Sequence, residues 1–248
     1  MIKFFRRIRQ QLLTENKFSK YLLYAIGEIV LVVIGILIAL SINNWNEENK
    51  RNSLKSTYIK SLKSDLENDI IFLNSEIESL QNDLSKSESF STRLSSSKAT
   101  IDTLVKIVRF EFDPRSGGPN QLNRNTYNAL VATGNINLFG QELTKKLHEH
   151  NASQSNTLAT IRLNHQIYVD RMEKYAGNIP FNTKFNAING VLMESFWDSI
   201  NENNLKYDFN AVLSSRIRML DWIVSFKKKL LQQTQELIEQ IKTLENSE

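Results

Sequence analysis

The 248-residue chain has no cysteine, three prolines, eight glycines and three histidines. Without a thiol there is no disulfide, no thiolate metal site and no cysteine nucleophile. So few glycines and prolines leave little to interrupt helices, and Val-rich alternating stretches are missing outside one apolar run, so the composition is that of a mostly helical protein. Motifs for hydrolysis and phosphate binding are also missing: there is no Gly-x-Ser-x-Gly and no glycine-rich phosphate loop. The densest group of metal-type donors is His148-Glu149-His150. Adjacent residues on a helix point in different directions, and the His-Glu-x-x-His spacing is absent, so a solvated helix face is expected there. His165 falls on an apolar stripe and reads as a buried, hydrogen-bonded residue. Acidic residues alternate with lysines as on a solvent-exposed bundle. No catalytic residue, metal or cofactor is expected, and the chain does not read as an enzyme.

What is present is a run from Tyr21 to Ile42, YLLYAIGEIVLVVIGILIALSI, 22 residues interrupted by one carboxylate, Glu28. A helix of that length reaches about 33 Å, enough to cross a hydrocarbon core. The formal net charge of +4 is concentrated before it: residues 1–20 carry +5 and the remainder −1. That asymmetry is a topology signal and gives no nucleic-acid face. It implies a cytoplasmic segment 1–20, a span 21–42 and an extracytoplasmic domain 43–248. A cleaved secretory signal is the rival reading, with Ala39-Leu40-Ser41 as a weak cleavage site. The anchor is favoured by the length of the run and its direct continuation into a helical pattern. Residues 2–13 carry a basic amphipathic pattern suited to an anionic leaflet, or simply a positive flank. Tyr21 and Tyr24 at one end and Trp45 at the other read as interfacial anchors.

At about 100° per residue, Tyr21, Tyr24, Gly35, Ala39, Ile42 and Asn46 fall close to the line of Glu28. Gly35 and Ala39 form a small-x-x-x-small pair that lets a second helix approach closely. A carboxylate on the same stripe prefers a partner to lipid. Tyr24, Glu28, Gly35 and Ala39 are therefore the candidate helix–helix interface, for a second copy or for another membrane protein. Glu28 snorkelling or protonated, and an ion- or proton-coupling role, are the alternatives.

Beyond the span, Leu54, Tyr58, Leu62, Leu66, Ile70, Leu73, Ile77, Leu80 and Leu84 recur at helical spacing, heptad-like from Leu66. They predict a long helix continuous with the span to about Ser87, frayed in the serine-rich segment 89–98. A second helix is expected over 99–112, a third over 141–175, a short one around 191–200 and a last over 205–244. Between the second and third, Tyr127, Leu130 and Val131 make an apolar face and Gly134 suits a left-handed helix stop. Tyr127, Leu130 and Gly134 read first as a packing and turn element, and alternatively as a distal recognition surface. Trp197 and Trp222 sit among apolar neighbours and are expected in the core. The fold class expected is all-α: one N-terminal transmembrane helix followed by an elongated, coiled-coil-like helical bundle.

The segments Tyr24-Ala25-Ile26-Gly27-Glu28, Gly35-Ile36-Leu37-Ile38-Ala39-Leu40 and Asn43-Asn44-Trp45-Asn46 resemble the anchor of an uncharacterised family of single-pass membrane proteins of Bacteroidota. The stretch Thr126-Tyr127, Leu130 and Gly134 is similar, more loosely, to that family's turn element. The resemblance implies an inner-membrane anchor, a periplasmic helical domain and no particular activity. The function expected is a non-enzymatic, membrane-anchored interaction or scaffold protein that self-associates or binds another membrane protein through its span. The alternative is a periplasmic sensory or ligand-binding module acting through a membrane partner. Such a sensor should hold an enclosed polar-lined pocket between its long helices, whereas a scaffold should have a filled core and an exposed apolar seam.

Overall fold

The structure, a computed structural model, describes residues 18–181 and 186–245, with side chains described over 22–181 and 186–243. The amphipathic reading of residues 2–13 and the side chain of Tyr21 lie outside the described residues. Among the described residues every regular element is helical: α1 (Phe18–Leu94), α2 (Ile101–Lys106, continued by a π-helical turn Ile107–Glu111), α3 (Asn125–Ala132), a 3₁₀ turn (Asn135–Phe139), α4 (Gly140–Asn178), α5 (Val191–Asp198) and α6 (Glu202–Glu245). The chain divides into two compact units, residues 1–57 and 58–248. Helix α1 begins in the first and runs into the second.

In the first unit, no residue from Leu22 to Lys50 is buried, and the apolar run has a mean hydropathy of 2.8 over its best 18-residue window. Among the described residues, one helix is thus long and apolar enough to cross a membrane. A signal sequence passes the same test of length and composition.

The second unit packs the later part of α1 with α4 and α6. On α1 the buried positions Ile59, Leu62, Leu66, Asp69, Leu73 and Ile77 are spaced by three and four residues as a helix facing a core requires, and Ser87 and Phe90 follow nearer its end. Helices α4 and α6 run antiparallel, since His150, Ser153, Tyr168 and Asn178 meet Thr234, Gln233, Arg216 and Asp208 in turn. Buried apolar residues form two clusters. One gathers Ile59, Leu62 and Leu66 with Leu130, Phe139, Leu147 and Ile241. The other gathers Phe90, Ile107, Phe112, Tyr175, Leu205 and Phe209 with their neighbours. Burying each such side chain contributes about 1.5–3 kcal/mol as an upper figure.

The sequence-predicted elements are present with shifted ends. Helix α1 continues through the serine-rich segment to Leu94, because Ser87 and Thr92 return their hydroxyls to the carbonyls of Asp83 and Glu88 and do not compete for the next turn. Helix α2 starts at a capping box in which Thr100 and Thr103 bond each other's backbone. Its last turn widens to π geometry, with Phe112 N–H donating to the Ile107 carbonyl at 2.8 Å. The widening leaves Ile107, Val108 and Phe112 all buried and turns Phe110 outward.

Candidate functional site

Four features bear on function: the Glu28 stripe on the apolar run, the turn element, a polar layer within the bundle, and a groove beside the α1–α2 connection. In and just after the apolar run, Tyr24 is 58% exposed and Trp45 66% exposed, and Glu28, Gly35 and Ala39 are exposed on the same helix. A Cβ added at Gly35 would meet nothing within 4 Å. Glycine costs about 1 kcal/mol relative to alanine inside a helix. No crowding within this chain explains that cost at Gly35, so the small side chain is available for an approach from outside it.

The turn element is structural in its contacts. Leu130 is fully buried in the cluster with Ile59, Leu62 and Leu66. Half-buried Tyr127 packs beside it, and its hydroxyl lies 2.7 Å from His148 Nδ1, the two rings edge to face. Gly134 sits at φ +70°, the left-handed conformation expected for the helix stop. Asn135, the next residue, donates from its side-chain amide to the Tyr58 hydroxyl at 3.2 Å. Because a Cβ at Gly134 would meet nothing within 4 Å, the cost of Gly134→Ala is backbone strain alone, about 1–2 kcal/mol. Gly134→Asn should recover part of it; equal urea midpoints for all three chains would remove the turn argument.

Between the apolar clusters lies a polar layer built on carboxylates of α1. Asp65 accepts from Asn123 Nδ2 at 2.6 Å and from Thr126 N–H at 3.1 Å. Arg124, the residue preceding α3, makes no side-chain cap, so Asp65 caps that helix from across the bundle. Asp69 accepts from Asn123 N–H at 2.9 Å and Gln154 Nε2 at 3.1 Å. Glu76 accepts from Lys227 Nζ at 3.1 Å and Asn120 Nδ2 at 3.3 Å. Two buried atoms here, Arg124 Nε and Asn151 Oδ1, have no protein partner. A cavity of about 30 Å³ beside Arg124, Gln154 and Lys227 has room for a single water.

His150 joins this layer and was missed by the sequence reading, which placed it on a solvated face. The Thr234 hydroxyl donates its one hydrogen to the Leu230 carbonyl at 2.8 Å, so at its 2.9 Å contact with His150 Nε2 it accepts. Nε2 of the imidazole therefore carries a proton and donates to Thr234. Burial lowers its pKa from 6.5 to about 4. His148 Nδ1 is committed to Tyr127, and among the described residues no group of three or more metal-type donors is close enough to hold an ion. His165 is half-buried and not a core residue.

Burial raises Asp69 to about 6, opposed by the Asn123 N–H, assisted by the Asp65 charge and opposed again by Gln154. A carboxyl raised on folding contributes stability that is full below its unfolded value of 3.8 and is lost as pH rises through about 6. A histidine lowered on folding does the reverse: its contribution is full above 6.5 and is lost as pH falls through about 4. The two oppose each other over the same window. Asp69→Asn should make stability fall more steeply than wild type on acidification from pH 6.5 to 4, and His150→Gln less steeply. Parallel stability–pH curves for all three would contradict these assignments.

Of the two tryptophans expected in the core, Trp197 is buried, but Trp222 is 47% exposed. Buried Leu220, Ile223, Val224 and Lys227 define the inward side of that stretch of α6, and Trp222 falls outside it. The register of α4 and α6 puts it level with Leu163, itself 63% exposed; Ile167 and Phe226 are also exposed, at 41% and 36%. An open groove of about 500 Å³ is lined by the end of α1, the start of α2 and α6.

Residues 28–114 are similar to a family described as a family of unknown function (DUF6090). The match takes in part of the apolar run, the rest of α1, α2 and the connection to Pro114. No curated protein and no solved structure matches the chain.

Proposed function

We propose that this protein is a non-enzymatic, membrane-anchored interaction or scaffold protein. It would lie in the inner membrane of a Bacteroidota-type envelope, with residues 1–20 cytoplasmic and the helical unit in the periplasm. It associates through Tyr24, Glu28, Gly35 and Ala39 with a second copy or with another membrane protein. The observation that carries this is Gly35: a helix-weakening residue, in register with a carboxylate, that this chain does not itself crowd. A bundle that exposes Leu163, Ile167, Trp222 and Phe226 along neighbouring helices supports interaction with a partner.

Substitution of the stripe tests it. Gly35→Leu or Glu28→Gln should abolish chemical cross-linking of the full chain in native membranes while its far-UV circular dichroism stays that of the parent. Unchanged cross-linking in both variants would sink the interface.

A further inference from the structure

The groove beside the α1–α2 connection has the chemistry of a ligand site. Its volume, about 500 Å³, lies in the range of small-molecule pockets. Its walls come from Ser91 and Leu94 at the end of α1, Ser95 just after it, Ala99–Leu104 leading into α2, and Lys206–Ile217 of α6. The space exists because small residues line those walls: Ser91, Ser95, Ala99 and Ser214 leave unfilled what a larger side chain would close.

The floor is apolar and firmly held. Leu104, Phe209 and Leu213 are each less than a tenth exposed and belong to the core cluster, while Phe209 packs edge-on to Phe112 at 5.0 Å. Phe112 is in turn edge-on to Tyr175 at 6.4 Å, so the floor is preformed. Around it stand neutral hydrogen-bonding groups: the serines, Thr100 and Asn210. One lining residue is charged, Lys206. Its partner is Glu202, one turn back on α6, at 3.4 Å, with both side chains about half exposed. An exposed pair of that kind is worth only a few tenths of a kcal/mol, so the ammonium exchanges it readily for a better anion.

An apolar floor, a neutral polar rim and a single cation at the edge select a small amphiphile with one anionic head. We infer that this groove binds a medium-chain carboxylate, its chain on Leu104, Phe209 and Leu213 and its head on Lys206. Such a site goes beyond association through the span, and would make the bundle responsive to a ligand as well as to a partner.

The test uses the full chain in lipid nanodiscs, photolabelled with a diazirine-bearing octanoic acid and mapped by peptide mass spectrometry. Labels are expected on the segments 91–104 and 206–217, and free octanoate should compete them away. Ser214→Trp, which fills the groove from an exposed position, should remove them and leave any label in the span untouched. Lys206→Ala should weaken competition by octanoate roughly 3- to 10-fold and leave competition by octanol unchanged. Labels confined to the span, or labels on the groove that survive Ser214→Trp, would overturn the assignment.

Discussion

Arg216→Ala should lower the unfolding free energy by about 3–4 kcal/mol, the largest loss expected from any single polar side chain here. The guanidinium is buried in α6 and donates at 3.0 Å to the Arg115 carbonyl and at 3.1 Å to the Tyr168 hydroxyl. Tyr168 in turn donates to the Pro114 carbonyl at 2.6 Å, so two buried groups hold the connection after α2. The guanidinium also lies 5.8 Å from the ring centroids of both Phe112 and Tyr168. Truncation leaves a carbonyl and a hydroxyl short of a donor and opens a cavity between those rings. Its contact with Asp83 is 3.7 Å long with a half-exposed partner, and contributes little. Arg216→Lys reaches one acceptor at best and should recover less than half of the loss. Urea unfolding of the full chain in detergent reads both; a loss under 1 kcal/mol for the alanine chain would mean the connection is held by something else.

Leu130→Ala is the second large effect, about 3 kcal/mol. The side chain has no exposed surface and pins the short helix α3 onto α1. Tyr127→Phe removes a partly solvated hydrogen bond to His148 and should cost under about 1 kcal/mol. The contrast separates packing from recognition. A residue kept for binding a partner would tolerate truncation, and Leu130→Ala unfolding at the wild-type midpoint would restore the recognition reading.

Legibility in the sequence followed periodicity. The continuity of α1 through the apolar run, the long α4 and α6, and the left-handed stop at Gly134 follow from apolar spacing and one glycine. The polar layer does not, because a carboxylate at a core register position reads as a surface residue when faces are assigned by hydrophobicity. Asp69 stands three residues after Leu66 and four before Leu73, both buried, and that register was the available signal. His150 was misplaced for a related reason: its surroundings depend on Thr234 and Leu230, far away in the chain, and no local pattern encodes that meeting. Trp222 shows the converse, an apolar residue whose position between inward-facing neighbours turns it outward. The groove was illegible because it is made of small residues from three separate segments, and absent volume leaves no periodic trace.

The Glu28 face of the apolar helix is the proposed interface. Photo-crosslinking amino acids placed at positions 28, 35 and 39 in native membranes test it most directly, with positions 30 and 37 on the opposite helix face as controls. The account predicts protein adducts from the first three and few from the controls, and their masses would say whether the partner is a second copy or a different membrane protein. Adducts to lipid alone, or equal yields from both faces, would contradict it.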